Sequence, residues 1–387
     1  MRNNKMKVVI APDSFKESLT ALEAAEAIES GLRRIWPDAE LIKVPMADGG
    51  EGTVRSLVDA TGGRLIHREV TGPMGEPVSG FFGLLGDGKT AVIEMAAAAG
   101  LEYVPLDARD PLTATTYGVG ELIGQALDYG VRHIILGLGG SATNDGGCGM
   151  AQALGIRLLD KSRHNIARGG ATLSELNAID LSVADPRIAE THFDIATDVT
   201  NPLTGDQGAS AVFGPQKGAS DQKAKRLDAA LKNFADVVRR QMHREIDRVP
   251  GAGAAGGLGA GALCFLNGNI RPGIEIVIQT VHLEEKLRDA VLVITGEGKI
   301  DGQTIFGKTP IGVARCAKRA GIPVIALAGS LSDGCGAVFD HGIDALFSIV
   351  PGAVSLEEAI KDARDNLART AENVARVWKS AGRTGDS

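Results

Sequence analysis

Strand and helix patterns alternate at both ends of the chain, and this alternation limits the folds that it can form. Residues 7–12 and 41–46 are apolar runs of strand length, and residues 19–36 between them have the spacing of an amphipathic helix. The same alternation returns after about residue 280. Successive β–α–β units form parallel strands covered by helices, and ligands bind beyond the carboxyl ends of such strands. The two chain ends are therefore predicted to form one parallel-sheet domain.

The middle of the chain has a different pattern. Residues 64–95 consist of short, partly alternating apolar segments separated by Gly, Pro and Asp, which is typical of antiparallel strands. Further strand and helix patterns follow, including a long amphipathic helix. We therefore predict an α/β fold with two domains and a ligand cleft between them: a parallel-sheet domain, 1–65 with 281–387, and an inserted mixed α/β domain, 66–280.

The composition excludes several classes of partner. With a formal net charge of -7, the protein has no basic surplus and is not expected to bind nucleic acid or an anionic membrane. The 4 cysteines lack metal-site spacing, and no apolar run reaches the ~18 residues of a membrane helix. Because no signal peptide is recognisable, a cytoplasmic location is expected. The sequence leaves the oligomeric state open, and a homo-oligomer is compatible with it.

A glycine-rich segment, residues 139–147, follows an apolar strand pattern and precedes a helix pattern. We call this segment the glycine loop. Such a loop directs backbone N–H groups at an anion, and the helix N-terminus adds positive potential. A tight turn with a helix cap is the alternative. The candidate phosphate-binding residues are Gly139, Gly140, Ser141, Thr143, Asn144 and Asp145.

Residues 302–309 read GQTIFGKT and match the P-loop pattern letter for letter. The context disagrees, because the first glycine of a P-loop follows its strand directly, whereas the strand here is predicted to end near Thr295. A P-loop fold is therefore not expected. Lys308 and the helix that follows it are still suited to bind a phosphate group.

Polar side chains recur where strands are predicted to end, and together they have the composition that phosphoryl transfer requires. Carboxylates hold Mg²⁺, lysines and backbone N–H groups neutralise phosphate oxygens, and one carboxylate accepts the proton of the attacking hydroxyl. No Ser-His-Asp pattern is present, and the first strand lacks the glycine fingerprint of dinucleotide-binding dehydrogenases. Outside the glycine loop, the polar residues at these positions are Asp13, Ser14, Lys16, Asp48, Glu51, Thr53, Asp198, Asn201, Lys217, Glu297, Lys299, Asp301, Gln303, Thr304 and Lys308.

Several stretches together resemble the bacterial glycerate kinases that form 2-phosphoglycerate (glycerate 2-kinase, type 1). They span nearly the whole chain, and their joint presence is specific. One departure is Glu17, where a glycine is expected after Phe15 and Lys16. The matching stretches are residues 11–16 (APDSFK), 45–53 (PMADGGEGT), 139–147, 196–203 (ATDVTNPL), 213–218 (FGPQKG), 251–259 and 295–310.

The resemblance implies ATP as phosphoryl donor, Mg²⁺ as metal and D-glycerate as substrate. It also implies two α/β domains, one flavodoxin-like and built from both chain ends, the other inserted. The alternatives are a non-catalytic nucleotide- or sugar-phosphate-binding protein, a kinase of another small hydroxy acid and an NAD-linked oxidoreductase. The number of carboxylates near the glycine-rich segments favours a metal-dependent kinase over a simple binding protein.

The catalytic roles of individual residues are hypotheses from their positions. Asp198 follows a strand pattern and is held beside Asn201, so it is the first candidate for the general base, and Asp145 is the second. Lys16 and Lys308 are expected to neutralise the substrate carboxylate or the transferring phosphoryl group.

The remaining polar residues are assigned to the metal and the substrate. The predicted metal ligands are Glu297 and Asp301, with Asp48 and Glu51 as further candidates. The predicted substrate contacts are Ser14, Asp48, Asn201 and Gln303.

Overall fold

The computed structural model describes residues 5–382 of the chain. Short apolar or alternating runs within these residues form the strands, which are numbered in chain order. They are β1 (Lys7–Pro12), β2 (Glu40–Lys43), β3 (Arg64–Thr71), β4 (Pro77–Leu84), β5 (Thr90–Glu94), β6 (His133–Gly137), β7 (Arg157–Leu159), β8 (Ala178–Asp180), β9 (His192–Ala196), β10 (Asn269–Arg271), β11 (Leu292–Ile300), β12 (Val324–Leu331) and β13 (Ala345–Ser348).

Side-chain caps mark the start of some of the helices. Helix α1 (Ala21–Arg33) follows a capping box in which the Thr20 hydroxyl accepts from the Glu23 N–H and the Glu23 carboxylate accepts from the Thr20 N–H. None of the helices in residues 5–382 combines the length and apolarity that a bilayer crossing requires. The helices are α1 (Ala21–Arg33), α2 (Thr53–Thr61), α3 (Ala96–Ala99), α4 (Tyr117–Asp128), α5 (Cys148–Ala153), α6 (Ala209–Phe213), α7 (Asp221–Met242), α8 (Ala254–Phe265), α9 (Gly273–Thr280), α10 (Leu283–Lys286), α11 (Thr309–Arg319), α12 (Leu356–Lys361) and α13 (Ala363–Gly382).

Contacts divide the chain into two compact units. Unit 1 contains the residues up to Asp48, Arg55–Thr61 and the residues from Ile274 onward, and unit 2 contains Gly49–Val54 and Gly62–Gly273. These limits differ somewhat from the boundaries predicted at residues 65 and 280. Ile274 at the start of α9 belongs to unit 1 because it packs directly on Gly312 of α11, where a Cβ would meet the Ile274 side chain at 2.1 Å.

Unit 1 contains a five-stranded sheet in the order β13-β12-β11-β1-β2, and all neighbouring strands are parallel. When its strands are counted as the chain enters the sheet, the order is 2-1-3-4-5, the flavodoxin-like order. Apolar residues on one side of the sheet pack with helices α1 and α13, which approach each other closely enough to require Gly31. The predicted flavodoxin-like α/β fold is therefore confirmed.

Unit 2 contains a six-stranded mixed sheet in the order β10-β9-β6-β5-β4-β3. Strands β10, β9, β6 and β5 are parallel, whereas β4 runs antiparallel to both β5 and β3. The antiparallel prediction for residues 64–95 is therefore confirmed. A separate two-stranded antiparallel ladder joins β7 and β8.

The glycine-rich stretch at residues 251–259 is buried throughout, and a helix begins within it. Helix α8 begins at Ala254 and contains a left-handed kink, with φ of 52° at Ala255, 67° at Gly256 and 89° at Gly257. A Cβ at Gly256 would lie 2.0 Å from the Thr143 carbonyl oxygen. Only glycine permits this approach, so the stretch supports the buried side of the glycine loop.

Candidate functional site

In unit 1, the candidate site lies at the carboxyl ends of β1 and β11. These neighbouring strands flank the position where the strand order reverses, which is where open α/β sheets bind their ligands. Asp13 follows β1 directly, and its N–H donates to the Gly296 carbonyl at 2.8 Å. Glu297 follows Gly296 in β11. The pairing of the two strands therefore brings two acidic residues to one end of the sheet.

The Asp13 carboxylate has two fixed donors. The Thr309 hydroxyl donates to Oδ2 at 2.5 Å, and the Ser14 N–H donates to Oδ1 at 2.6 Å. Burial, reinforced by the negative charge of Asp48, nevertheless raises the pKa of Asp13 to about 6. Asp13 was among the strand-end carboxylates in the sequence but received no role, and its position directly after β1 is the signal that favours one.

Glu297 is largely buried between a hydroxyl and an ammonium group. The Thr304 hydroxyl donates to Oε1 at 3.1 Å, and Lys308 Nζ lies 3.7 Å from Oε2. Burial is the largest influence and raises the pKa of Glu297 to about 7, and the charges of Asp13 and Asp48 also raise it. The carboxylates of Glu297, Asp13 and Asp48 repel one another. Their oxygens are ligands of the kind that a hard divalent cation prefers.

The P-loop comparison needs one correction. Strand β11 continues to Ile300 instead of ending near Thr295, because Gly296 to Ile300 pair with β12 as far as Leu331. The glycines at 296 and 298 suggested a loop, yet a Cβ at Gly296 would lie 2.1 Å from the Leu327 carbonyl oxygen, so Gly296 serves close packing of β11 on β12. The P-loop-like string therefore does follow its strand, but this strand is the third to enter a flavodoxin-like sheet.

Helix α11 begins immediately after Lys308, and its first residue, Thr309, directs its hydroxyl to Asp13. The helix N-terminus and the Lys308 ammonium are both suited to an anion. Of the other residues predicted for this region, Lys16 and Gln303 are exposed and Ser14 is half-buried. Gln303 donates its N–H to Asp301 at 2.9 Å.

Asp301, one of the two predicted metal ligands, is held by the turn itself. Its Oδ1 accepts the Gln303 N–H, and Lys299 Nζ lies 3.2 Å from Oδ2. The backbone hydrogen bond and the Lys299 charge hold the pKa of Asp301 below its usual value. The other predicted ligand, Glu297, is grouped electrostatically with Asp13 and Asp48 instead.

In unit 2, the glycine loop follows β6 and presents its two ends differently. Gly139 and Gly140 are exposed, and none of the hydrogen bonds within residues 5–382 uses their N–H groups. The side chains of Ser141, Thr143 and Asn144 are buried. The exposed glycine N–H groups are therefore better placed for an anion than the side chains that follow them.

Asp145 is buried and saturated by donors of unit 2. Its carboxylate accepts from the Thr116 N–H at 2.7 Å, the Thr116 hydroxyl at 2.9 Å, the Gly147 N–H at 3.1 Å and the Gly149 N–H at 3.2 Å. Burial raises its pKa against these hydrogen bonds. Asp145 therefore holds the loop against α4 and α5, instead of facing a ligand as the sequence suggested.

Lys217 is buried beneath the same loop. Its ammonium group donates to the Ser141 hydroxyl at 2.6 Å and to the Thr143 carbonyl at 2.7 Å. Burial lowers the pKa of Lys217 to about 7, although the charge of Asp145 opposes this change. The residue was recognised in the sequence as a loop cation, and the structure places it as an internal support of the glycine loop.

Asp198 and Asn201 follow β9, the neighbour of β6. Asp198 is exposed, and its carboxylate accepts the Gly273 N–H at 3.3 Å. The Asn201 side chain donates to the Gln207 carbonyl at 2.8 Å. Both residues therefore lie at the same end of the sheet as the glycine loop, and each has a hydrogen-bond partner that limits its motion.

Glu94 is a buried acid at this end of the sheet that the sequence analysis did not assign. It ends β5, in register with Gly137 of β6, and accepts the Val54 N–H at 2.8 Å. Burial raises the pKa of Glu94 to about 7. Its position directly after the apolar run 91–93 is the signal that could have identified it.

Comparisons with known proteins agree over almost the full chain. The model of the glycerate kinase family matches residues 8–379. A glycerate kinase of Bacillus subtilis (strain 168) is 57% identical over 97% of this chain and 98% of its own length. A glycerate 2-kinase of Escherichia coli (strain K12) is 55% identical over 96% of this chain and 97% of its own length.

The fold is similar to that of a solved relative. A crystal structure from Salmonella typhimurium LT2, assigned as a glycerate kinase 2, superposes with a TM-score of 0.91 at 55% sequence identity. The match covers 98% of this chain and 100% of the other.

Proposed function

Because the chain belongs to the glycerate kinase family, we propose that it transfers a phosphoryl group from ATP to the 2-hydroxyl of D-glycerate. The observation that carries this proposal is the 55% identity to a glycerate 2-kinase over 96% of the chain. The residue inventory is consistent with the reaction, since phosphoryl transfer depends on positioning and on neutralising the charge of phosphate oxygens.

Phosphate oxygens have two sets of candidate partners. In unit 1, Lys308 and the N-terminus of α11 supply positive charge, and the exposed Lys16 supplies more. In unit 2, the N–H groups of Gly139 and Gly140 are available to an anion. We assign Lys16 and Lys308 to neutralise the substrate carboxylate or the transferring phosphoryl group, and the glycine N–H groups to bind phosphate.

The acidic residues of unit 1 fit Mg²⁺. Burial and mutual repulsion raise the pKa values of Asp13 and Glu297, and a bound cation would offset this repulsion. We propose Glu297, Asp13 and Asp48 as the residues that hold it, in preference to Asp301. A bound Mg²⁺ would neutralise the phosphate oxygens of ATP. Lys308 Nζ lies 3.7 Å from the Glu297 carboxylate and partly balances its charge.

Asp198 is the proposed general base. It is exposed at the carboxyl end of β9, and its carboxylate accepts the Gly273 N–H at 3.3 Å. In this role it would accept the proton of the glycerate hydroxyl as the oxygen attacks the phosphoryl group. Substrate contacts by Ser14, Asp48, Asn201 and Gln303 stay proposals, as do the cytoplasmic location and a homo-oligomeric state.

The direct test is the formation of ADP from ATP and Mg²⁺, with and without D-glycerate. We expect ADP to form only when the hydroxy acid is present. Formation of ADP at the same rate without D-glycerate, or with another small hydroxy acid at a higher kcat/KM, would refute the proposed substrate.

Asp198→Asn tests the base within the same assay. The variant should bind ATP normally and lose at least about 100-fold in kcat. Asp206→Asn is the matched control, because Asp206 is an exposed acid of the following loop, and it should keep normal turnover. Equal turnover of the two variants would return Asp198 to a purely structural role.

A further inference from the structure

A second group of ionisable side chains lies in unit 2 at the amino-terminal ends of β6 and β9. His133 and His192 begin these two strands and are paired in parallel register. Asp194 lies two residues beyond His192 on β9, and residues two apart in a strand share a face. The register therefore places two imidazoles and one carboxylate together on the same side of the sheet.

The potential ligand atoms of these residues are close to one another. His133 Nε2 lies 2.9 Å from Asp194 Oδ2, and His192 Nε2 lies 3.4 Å from Asp194 Oδ1. All three residues offer ligand atoms within 4.8 Å of one another. In a tetrahedral zinc site, with ligands ~2.0–2.1 Å from the metal, neighbouring ligand atoms are about 3.3 Å apart. The two distances between imidazole nitrogens and Asp194 oxygens are already close to this value.

Asp194 supplies an independent indication that the group is built for a positively charged ligand. Its side chain is only 5% exposed, yet Oδ1 has no hydrogen-bond partner within residues 5–382. A buried carboxylate oxygen without a donor is costly unless a cation lies nearby. Arg271 of β10 forms an ion pair with Oδ1 at 3.5 Å, which balances part of this charge without a good hydrogen bond.

The two imidazoles are accessible from the solvent side. The His133 side chain is 32% exposed and the His192 side chain is 61% exposed, so an ion could reach them without opening the core. On the opposite face of the same strands, Ile134 and Phe193 are buried in the main core of unit 2. The strands therefore have a rigid base, which holds the three side chains in place.

We propose that His133, His192 and Asp194 form a binding site for a divalent transition-metal ion of the Zn²⁺ type. Two imidazole nitrogens and one carboxylate oxygen are typical ligands of Zn²⁺, Co²⁺ and Ni²⁺, and the exposed side leaves a fourth position for water. Mg²⁺ is a poor occupant, because it prefers oxygen ligands in octahedral geometry.

This site is separate from the phosphoryl-transfer residues of unit 2. The glycine loop and Asp198 follow the carboxyl ends of β6 and β9, whereas the three ligands occupy or adjoin the opposite ends. Four residue steps along β6 correspond to about 13 Å. The metal is therefore expected to stabilise the strands without taking part in catalysis.

The test measures metal binding to tag-free, full-length protein by calorimetry with Zn²⁺ and by the visible spectrum with Co²⁺. We expect one equivalent of Zn²⁺ to bind, to displace Co²⁺ and to raise Tm. His192→Gln and Asp194→Asn should each weaken Zn²⁺ binding at least tenfold, because each removes a ligand. His192→Gln keeps the test valid if the buried Asp194→Asn variant folds poorly, since His192 is exposed.

Two further variants sharpen the result. His164→Gln is the matched control, because His164 lies 4.0 Å from Asp160 in a pair that has no third ligand within residues 5–382, and it should bind Zn²⁺ like the parent. Arg271→Gln should tighten binding, because it removes a positive charge beside the proposed ion.

Kinase turnover of His192→Gln should equal that of the parent, so the metal site can fail or succeed independently of the proposed reaction. The proposal is overturned if no Zn²⁺ binds. It is also overturned if His192→Gln binds Zn²⁺ as tightly as His164→Gln does.

Discussion

Replacement of Glu297 by Gln isolates the electrostatic cost of the acidic residues in unit 1. Gln keeps the size of the side chain and an oxygen that can accept from Thr304, but it removes the charge. Burial and the charges of Asp13 and Asp48 raise the pKa of Glu297 to about 7 from an ordinary value of 4.5. The ionised carboxylate is therefore destabilising whenever no cation is bound.

The size and sign of the effect follow from linkage. Between pH 4.5 and about pH 7 the folded protein keeps a proton that the unfolded chain has released, so the stability from Glu297 falls as the pH rises through this window. A pKa change of about 2.5 units corresponds to about 3 kcal/mol in total. The free energy of unfolding of Glu297→Gln relative to the parent should therefore increase by about 2.5 kcal/mol between about pH 5 and about pH 8.

The assay is urea unfolding of both proteins at the two pH values in the presence of a chelator. Glu284→Gln is the control, because Glu284 is an exposed partner of Arg319, and its relative stability should change by less than about 1 kcal/mol. Mg²⁺ should stabilise the parent at about pH 8 and have little effect on Glu297→Gln. A stability difference between Glu297→Gln and the parent that is the same at both pH values would refute the reasoning.

Three further substitutions test separate parts of the account. Lys308→Ala should lower kcat by about 100-fold or raise the KM for ATP, whereas Lys318→Ala in the following helix α11 should not, and equal kinetics would return Lys308 to a surface role. Lys217→Met should abolish a rise in stability with pH above about 7, because the unfolded lysine keeps a proton that buried Lys217 releases; parallel unfolding profiles at about pH 7.5 and pH 9 would contradict this. Glu17→Gly should raise the free energy of unfolding in urea by up to about 1 kcal/mol, because Glu17 has a φ of 64°, and a loss of stability would show that this backbone is unstrained.

Much of the architecture could be predicted because it depends on local periodicity. The alternation at the chain ends predicted a parallel sheet, and the turn-rich segment predicted antiparallel strands, as the structure has them. The end of β11 was missed because its glycines suggested a loop. Gly296 in fact permits close packing against β12, a strand that is remote in sequence.

The candidate site was predicted less completely, because burial decides what each polar residue does. Asp145 and Lys217 have the composition of ligand-binding residues, yet tertiary contacts turn both inward to hold the glycine loop. Burial raises the pKa values of Asp13 and Glu94, and no local sequence pattern reveals that burial. Glu17 is a case in which the sequence did signal local structure, since the expected glycine position has left-handed backbone.

The central claim is that the chain phosphorylates D-glycerate on its 2-hydroxyl. The most direct measurement is the proton-coupled phosphorus NMR spectrum of the product formed from ATP and D-glycerate. Phosphate on the 2-oxygen couples to the single proton of the adjacent carbon and gives a doublet, whereas phosphate on the 3-oxygen couples to two protons and gives a triplet. We predict the doublet of 2-phosphoglycerate; a triplet, or no glycerate-dependent product signal, would contradict the account.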